Sequence, residues 1–184
     1  LNLNAGLQKN KREYRSSFPT ISQSNCLNID FFNKYIFNKK FYSIVGIQYQ
    51  KEKMVATNNP ENYQTDIYLN SVYIDPSGFN FNTGLRYNIN EAYGGHLVYS
   101  LNPSYSFDLD ENCQIKLMSS YSKAFIAPSL YQLYDPSYGN KSLEPENNLS
   151  FELGFEIRST QSVLNIVYFN RKEKPTLIFN TNPT

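Results

Sequence analysis

Between Phe79 and Asn90 the chain alternates apolar and polar residues almost without a break. Phe79, Phe81, Leu85, Tyr87 and Ile89 share one parity with Thr83, while Asn80, Asn82, Gly84, Arg86, Asn88 and Asn90 take the other. Successive side chains of a strand point to opposite faces, so this period of two predicts a strand with one greasy face and one amide-rich face. The same division runs through residues 63–73, where Tyr63, Ile67, Leu69 and Tyr73 oppose Gln64, Asp66 and Asn70. It recurs in 149–157, where Leu149, Phe151, Leu153 and Phe155 oppose Ser150, Glu152, Gly154 and Glu156. Less perfect alternation predicts further strands over 1–9, 26–32, 41–51, 97–107, 113–121 and 163–170. No segment holds a 3.6-residue period long enough for a crossover helix, so the class is all-β and antiparallel, with about nine up-and-down strands.

The connections alternate in length. Short turns at 75–78, 108–112 and 158–161 interleave with longer links at 11–25, 52–62 and 125–148, and the link at 91–95 is a short one on the long side. Short turns on one rim and long loops on the other are the plan of a transmembrane barrel. Aromatic residues agree, since Phe41 with Val45, Ile47 and Tyr49, and Tyr63 with Ile67, Leu69 and Tyr73, run aromatic, aliphatic, aromatic along the greasy face. Such girdles mark the two membrane interfaces. Pro103 sits in mid-strand and predicts a bulge or an early strand end, because it removes a ladder hydrogen bond. An odd number of strands does not suit a bacterial single-chain barrel, and the chain therefore reads as a fragment of a larger one.

Composition narrows the classes. The 184 residues carry 17 Lys+Arg against 16 Asp+Glu, a net charge of +1, which gives no footprint for nucleic acid. Mean hydropathy is −0.53, and no apolar run approaches the ~18 residues of a spanning helix; alternating strands can hide such a span. Aromatics at 16% argue against disorder. The chain opens at Leu1 inside a predicted strand, with neither an initiator Met nor a charged head followed by an apolar stretch, so no signal peptide is read in it. Cys26 and Cys113 fall on opposite strand faces, which argues against a disulfide between them.

The sequence offers no catalytic constellation: one histidine, His96, no nucleophile with partners, no phosphate loop and no metal-ligand spacing, so neither an enzyme nor a cofactor is expected. Glu144 and Glu146 flank Pro145 as local neighbours, an arrangement for solvated or lumen-pairing carboxylates rather than glycoside chemistry. Lys9, Lys11, Arg12 and Arg15 form a basic cluster at the outer rim, read as a solvated strand end in preference to a contact with acidic lipid. The link FIAPSLYQLYDPSYGNKSLEPENN over 125–148 holds Pro128, Pro136 and Pro145 among Phe125, Tyr131, Tyr134 and Tyr138. Prolines stiffen it and tyrosines suit it to contact, so it is expected to fold over the barrel mouth or over a ligand. Tyr131, Tyr134, Asp135 and Tyr138 are the candidate ligand-facing residues, with the three prolines shaping the loop. Arg86, Glu146 and Glu152 are candidate lumen charges that pair with one another or with a plug.

The string SYSKAFIAPSLYQLY over 120–134, followed by GNKSLEPE over 139–146 and the strand start FELG at 151–154, resembles the barrel of TonB-dependent outer-membrane receptors. GLRY at 84–87, NPSY at 102–105 and YFNR at 168–171 resemble further strands of that family, and NPSY makes Pro103 an accepted oddity there. The wording of the loop is most similar to the cobalamin-transporter branch. Such receptors close a 22-stranded barrel with an N-terminal plug and release their cargo inward through the TonB complex. The resemblance implies a Gram-negative outer-membrane location, contact with membrane lipid, and a scarce nutrient, cobalamin or an iron chelate, as ligand. It also implies that 1–184 is barrel wall alone, with neither plug nor TonB box in the stretch. Ile126 stands where many members carry a basic residue, so that contact is not carried over. The residues alone leave open a soluble lipocalin-like carrier, whose greasy face would line an internal cavity, and a passive porin or adhesin on the same barrel.

Overall fold

The structure is a computed structural model that describes residues 1–15, 20–55, 58–136 and 139–174. Nine strands follow in order: β1 (Asn2–Tyr14), β2 (Thr20–Ile36), β3 (Phe41–Val55), β4 (Glu61–Ile74), β5 (Phe79–Asn90), β6 (Gly94–Asp110), β7 (Cys113–Ile126), β8 (Glu146–Ser159) and β9 (Val163–Lys174). A short helix, α1 (Leu130–Tyr134), lies in the link between β7 and β8. Each strand pairs antiparallel with the next, giving one open sheet in sequence order in which β1 and β9 are the edges. Strands of 12 to 17 residues rise about 3.3 Å per residue, so each exceeds the ~9 to 11 residues that cross a bilayer.

Register fixes the faces. Ile67 sits opposite Ile47 and Tyr87, and Leu69 opposite Val45 and Leu85, so the odd-numbered residues of β1 to β8 share one face, which the even-numbered residues of β9 continue. That face is exposed, as at Leu85 (46%), Phe79 (40%) and Ile67 (51%). The opposite face buries Asp66, Asn88 and Asn90 and receives α1, so it is the inner, luminal side. Met54, Tyr68 and Leu130 are buried, and all lie on or against that inner side. A lipocalin-like cavity would instead enclose Phe79 and Leu85 within a sheet closed on itself. Here they face outward from an open one.

Three expectations are corrected. The supposed long links at 11–25 and 52–62 are mostly strand: pairing continues to Tyr14 opposite Thr20 and to Lys53 opposite Glu61. Above a hydrocarbon zone both faces of a strand become polar, so the period of two fades while the ladder persists. The link at 125–148 likewise gives up its last residues to β8 and contains a helix. Finally, Pro103 neither ends β6 nor shifts its register; it lies opposite Phe81, and the bulge comes later, between Asp108 and Asp110.

The proline still marks the wall. Pairing of β6 with β7 lapses between Leu101 and Ser104 and resumes in the same register. Ser106 donates its N–H to Gly78 on the β5 side, at 3.0 Å. By the alternation of an antiparallel strand, the backbone nitrogen of Pro103 therefore faces β7, where it has no proton to give. At this same end of β5 the turn 75–78 is tight. Gly78 adopts φ +99°, and a Cβ there would collide with the Ser106 carbonyl. The Asp75 carboxylate accepts from the Ser77 N–H, the Tyr73 hydroxyl and Lys40, and these partners, in that order, hold it well below the usual carboxylate range.

Candidate ligand site at the luminal mouth

The β7–β8 link reaches the lumen because its sequence stops β7 and then starts a helix. Ala127 and the buried Pro128 follow β7, and Ser129 caps α1. Ser129 Oγ accepts from the Gln132 N–H at 3.3 Å, and Gln132 Oε1 accepts from the Ser129 N–H at 2.8 Å, a reciprocal capping box. Leu130 is buried, and α1 packs on β3 beside Met54. Beyond the helix the Asp135 carbonyl accepts from the Gly139 N–H, and Asn140 donates back to the Gln132 carbonyl, so the chain turns tightly. Tyr93 in the β5–β6 turn ties the loop down by donating its hydroxyl to the Leu143 carbonyl at 3.2 Å. Burial first, and the nearby Tyr134 second, push the Tyr93 phenol up from its ordinary value.

Under this cover lies a 290 Å³ cavity lined by Gln8, Asn10, Ser22, Ser24, Gln50, Glu52, Met54 and Tyr131 among others. A 710 Å³ recess adjoins it along the β1 edge, shares Gln8, Asn10, Ser129 and Tyr131, and adds Lys9, Lys11 and Arg12. Gln50 Nε2 donates to Glu52 at 2.9 Å, so the one carboxylate lining the smaller cavity is already engaged. The chemistry on offer is amide and hydroxyl hydrogen bonding and one aromatic ring in the cavity, with cationic side chains added in the recess.

The candidate residues separate on this geometry. Tyr131 lines both spaces. Tyr134 is 38% exposed, with Lys141 Nζ 5.1 Å from its ring centre. Asp135 is half-buried and caps α1, its N–H donating to the Tyr131 carbonyl at 3.0 Å. Tyr138 lies outside the described residues. Pro128 is buried, Pro145 half-buried and Pro136 exposed. Arg86 points to the lumen, but its partners are Asp66, at 2.9 Å, and Gln48, at 3.1 Å, in place of Glu146 or Glu152. Register explains the choice: Asp66 lies on the strand next to Arg86, two residues from its direct opposite Tyr68, while β8 is three strands away. Glu152 stands opposite Ser120, and Glu146 opposite Ile126 at the start of β8. His96 stacks on Phe125 with centroids 3.8 Å apart, and its Nε2 lies 2.9 Å from the Tyr93 carbonyl oxygen.

A luminal belt was missed. Tyr68 donates to Asp30 at 2.9 Å, Gln48 to Asn28 at 3.0 Å, and Arg86 stacks over the Tyr68 ring at 5.2 Å. Gly46 makes room for that ring, since a Cβ there would stand 2.5 Å from Tyr68 Cζ. All these residues share the even parity, which was the available signal. At the top of β5 two buried polar atoms, Asn88 Oδ1 and Asn90 Nδ2, have no partner.

Residues 2–184 match the family described as TonB dependent receptor-like, beta-barrel. The chain belongs to that family. It is 28% identical over 149 residues to the vitamin B12 transporter BtuB of Vibrio cholerae, covering 80% of this chain and 23% of the transporter. It is also 28% identical over 111 residues to BtuB of Photobacterium profundum, covering 60% of this chain and 16% of the transporter. The chain thus spans under a quarter of these relatives. Among solved structures, the siderophore receptor PirA of Pseudomonas aeruginosa superposes with a TM-score of 0.70 at 22% identity, over 92% of this chain and 35% of that one. A mutant ferric enterobactin receptor of the same species, in complex with enterobactin, gives 0.72 at 17% identity, over 94% of this chain and 32% of the receptor. The nine-stranded open sheet therefore matches a partial TonB-dependent receptor barrel.

Proposed function

We propose that residues 1–184 form part of the wall of a Gram-negative outer-membrane receptor that captures cobalamin at its loop-side mouth and imports it with TonB-supplied energy through a plug. The wall itself does no chemistry; it binds and positions. The observation that carries the ligand class is the lining of the 290 Å³ cavity, which is amide and hydroxyl with Tyr131 beside it. A corrinoid presents many neutral amide side chains around a flat ring, which such a lining can hydrogen-bond and an aromatic side chain can cover. A polyanionic iron chelate would need several cations. That second reading is favoured by the adjoining recess, which Lys9, Lys11 and Arg12 line. The relatives at 28% identity, named as vitamin B12 transporters, support the first reading.

The test uses the intact receptor. Tyr131→Ala together with Tyr134→Ala is expected to weaken cyanocobalamin binding about tenfold, the effect of one or two lost aromatic contacts. Ferric enterobactin should fail to compete. Unchanged affinity would make the loop structural only, and effective competition would move the assignment to the iron chelate.

A further inference from the structure

The inner positions of β1 change chemistry along the strand. Gln8 and Asn10 bring amides to the 290 Å³ cavity, and the next residue of that parity toward the rim is Arg12. Register sets hydroxyls opposite: Asn10 stands across from Ser24, and Arg12 across from Ser22. Residues of one parity repeat about 6.6 Å apart along a strand, so the guanidinium is carried one step beyond the amide lining. The cavity and the 710 Å³ recess meet there, both lined by Ser22, Ser24, Ser129 and Tyr131.

The charge of the recess is of one sign. Among the described residues that line it, none is a carboxylate. Lys9 and Lys11 line it at the β1 edge but take the outward parity, and Lys11 Nζ pairs with Glu13 at 2.7 Å. Arg12 is therefore the cation of the recess that β1 directs to the luminal side. A guanidinium beside hydroxyls suits one anionic group with several acceptor oxygens, because its planar fork places two N–H donors on two of them. A polyanion would leave most of its charge unanswered at such a place. Glu52, the carboxylate of the cavity, stands opposite Cys26, on the far side of the amides from Arg12, and is engaged by Gln50 at 2.9 Å.

We propose that Arg12, with Ser22 and Tyr131 beside it, forms an anion subsite that takes the phosphodiester of a corrinoid's nucleotide arm while the amide-lined cavity takes the periphery of the ring. The inference rests on the reading of the nutrient as a corrinoid and deepens it: the receptor selects a complete corrinoid over one that lacks the arm. A further strand beside β1 would close the recess on its open side and leave Arg12 facing the lumen, because parity, not edge position, sets the direction of a strand's side chains.

The experiment compares cyanocobalamin with dicyanocobinamide, which keeps the corrin ring and its amides and lacks the phosphodiester, ribose and base, as ligands of the intact receptor in detergent. Wild type should bind cyanocobalamin at least about tenfold more tightly. Arg12→Gln should weaken cyanocobalamin binding about tenfold and leave that of dicyanocobinamide within about twofold, since substitution and ligand truncation remove two ends of one contact. The unchanged dicyanocobinamide affinity also shows that this variant folds. Arg12→Lys should restore part of the preference, having the charge without the fork. Arg171→Gln, which removes an arginine of the inner parity on β9, should match wild type for both ligands. Equal loss of both ligands in Arg12→Gln would mark a structural role and overturns the subsite. Wild-type binding of both ligands without preference removes the subsite alone, whereas binding of neither removes the nutrient assignment and the subsite with it.

Discussion

At the scale of single residues, the luminal belt is where substitution should be felt most. Asp66 is 3% exposed, and its charge is answered by Arg86. Arg86→Leu leaves a buried carboxylate without its ion-pair partner, and such orphaning costs about 1–3 kcal/mol or more. The double variant Arg86→Leu/Asp66→Asn should recover part of that loss, so urea unfolding of the intact receptor in lipid vesicles should rank the single variant below the double. The Asp75 turn offers a pH test. Its folded carboxyl titrates below the unfolded value of about 3.9, so its contribution is complete above that value and is lost as pH falls through the lower folded one. Hydrogen exchange of residues 75–78, taken relative to the intrinsic rate, should therefore quicken below about pH 4 in wild type. In Asp75→Asn it should be quicker at neutral pH and nearly independent of pH beyond the intrinsic rate. A wild-type turn as stable at acid pH as at neutral pH would contradict this.

At the scale of elements, legibility followed the chemistry of the two faces. β5 was readable to the residue, Phe79–Asn90, because one face meets an apolar surround and the other a polar lumen along its whole length. β1 to β4 were read short at their loop ends, where residues such as Lys11, Gln23, Lys53 and Glu61 are polar on the outward side as well, and no periodicity survives. α1 was invisible to a period analysis because it has five residues; its signal was local, the Ser129–Gln132 capping box after a proline. Tyr131 was found from its loop context, whereas the Arg86 partner needed the register, which sequence alternation does not supply. The β6–β7 lapse gives an elemental prediction. Pro103 has no N–H to give, so the Ser119 carbonyl opposite it loses its ladder donor, while the Ser119 N–H keeps the Pro103 carbonyl as acceptor and should exchange no faster than the amides of Leu117 and Tyr121 on the paired stretches to either side. Markedly faster exchange at Ser119 than at both neighbours would show instead that the two strands part at Pro103.

At the scale of the whole molecule, the sheet is a wall without a room. Its inner face holds a polar belt and a small loop-covered cavity, while its outer face exposes Ile67, Leu85, Phe151 and many of their neighbours. In a bilayer that face needs no protein partner, and in a complete barrel the edges vanish. In water both conditions fail. The outward apolar surface far exceeds what a soluble monomer tolerates, and β1 and β9 each present an unpaired row of backbone donors and acceptors over 13 and 12 residues. Residues 1–184 expressed alone should therefore associate edge to edge in detergent-free buffer, eluting as large species without a cooperative thermal transition. The inner face predicts a partial remedy: with Arg86, Asp66 and Gln48 already satisfied within the sheet, detergent covering the outer face should suppress association through that face and keep the β signal, while the open edges still pair. A monomeric, cooperatively unfolding product in plain buffer would mean that the sheet finds a closed form of its own, with the greasy parity turned inward.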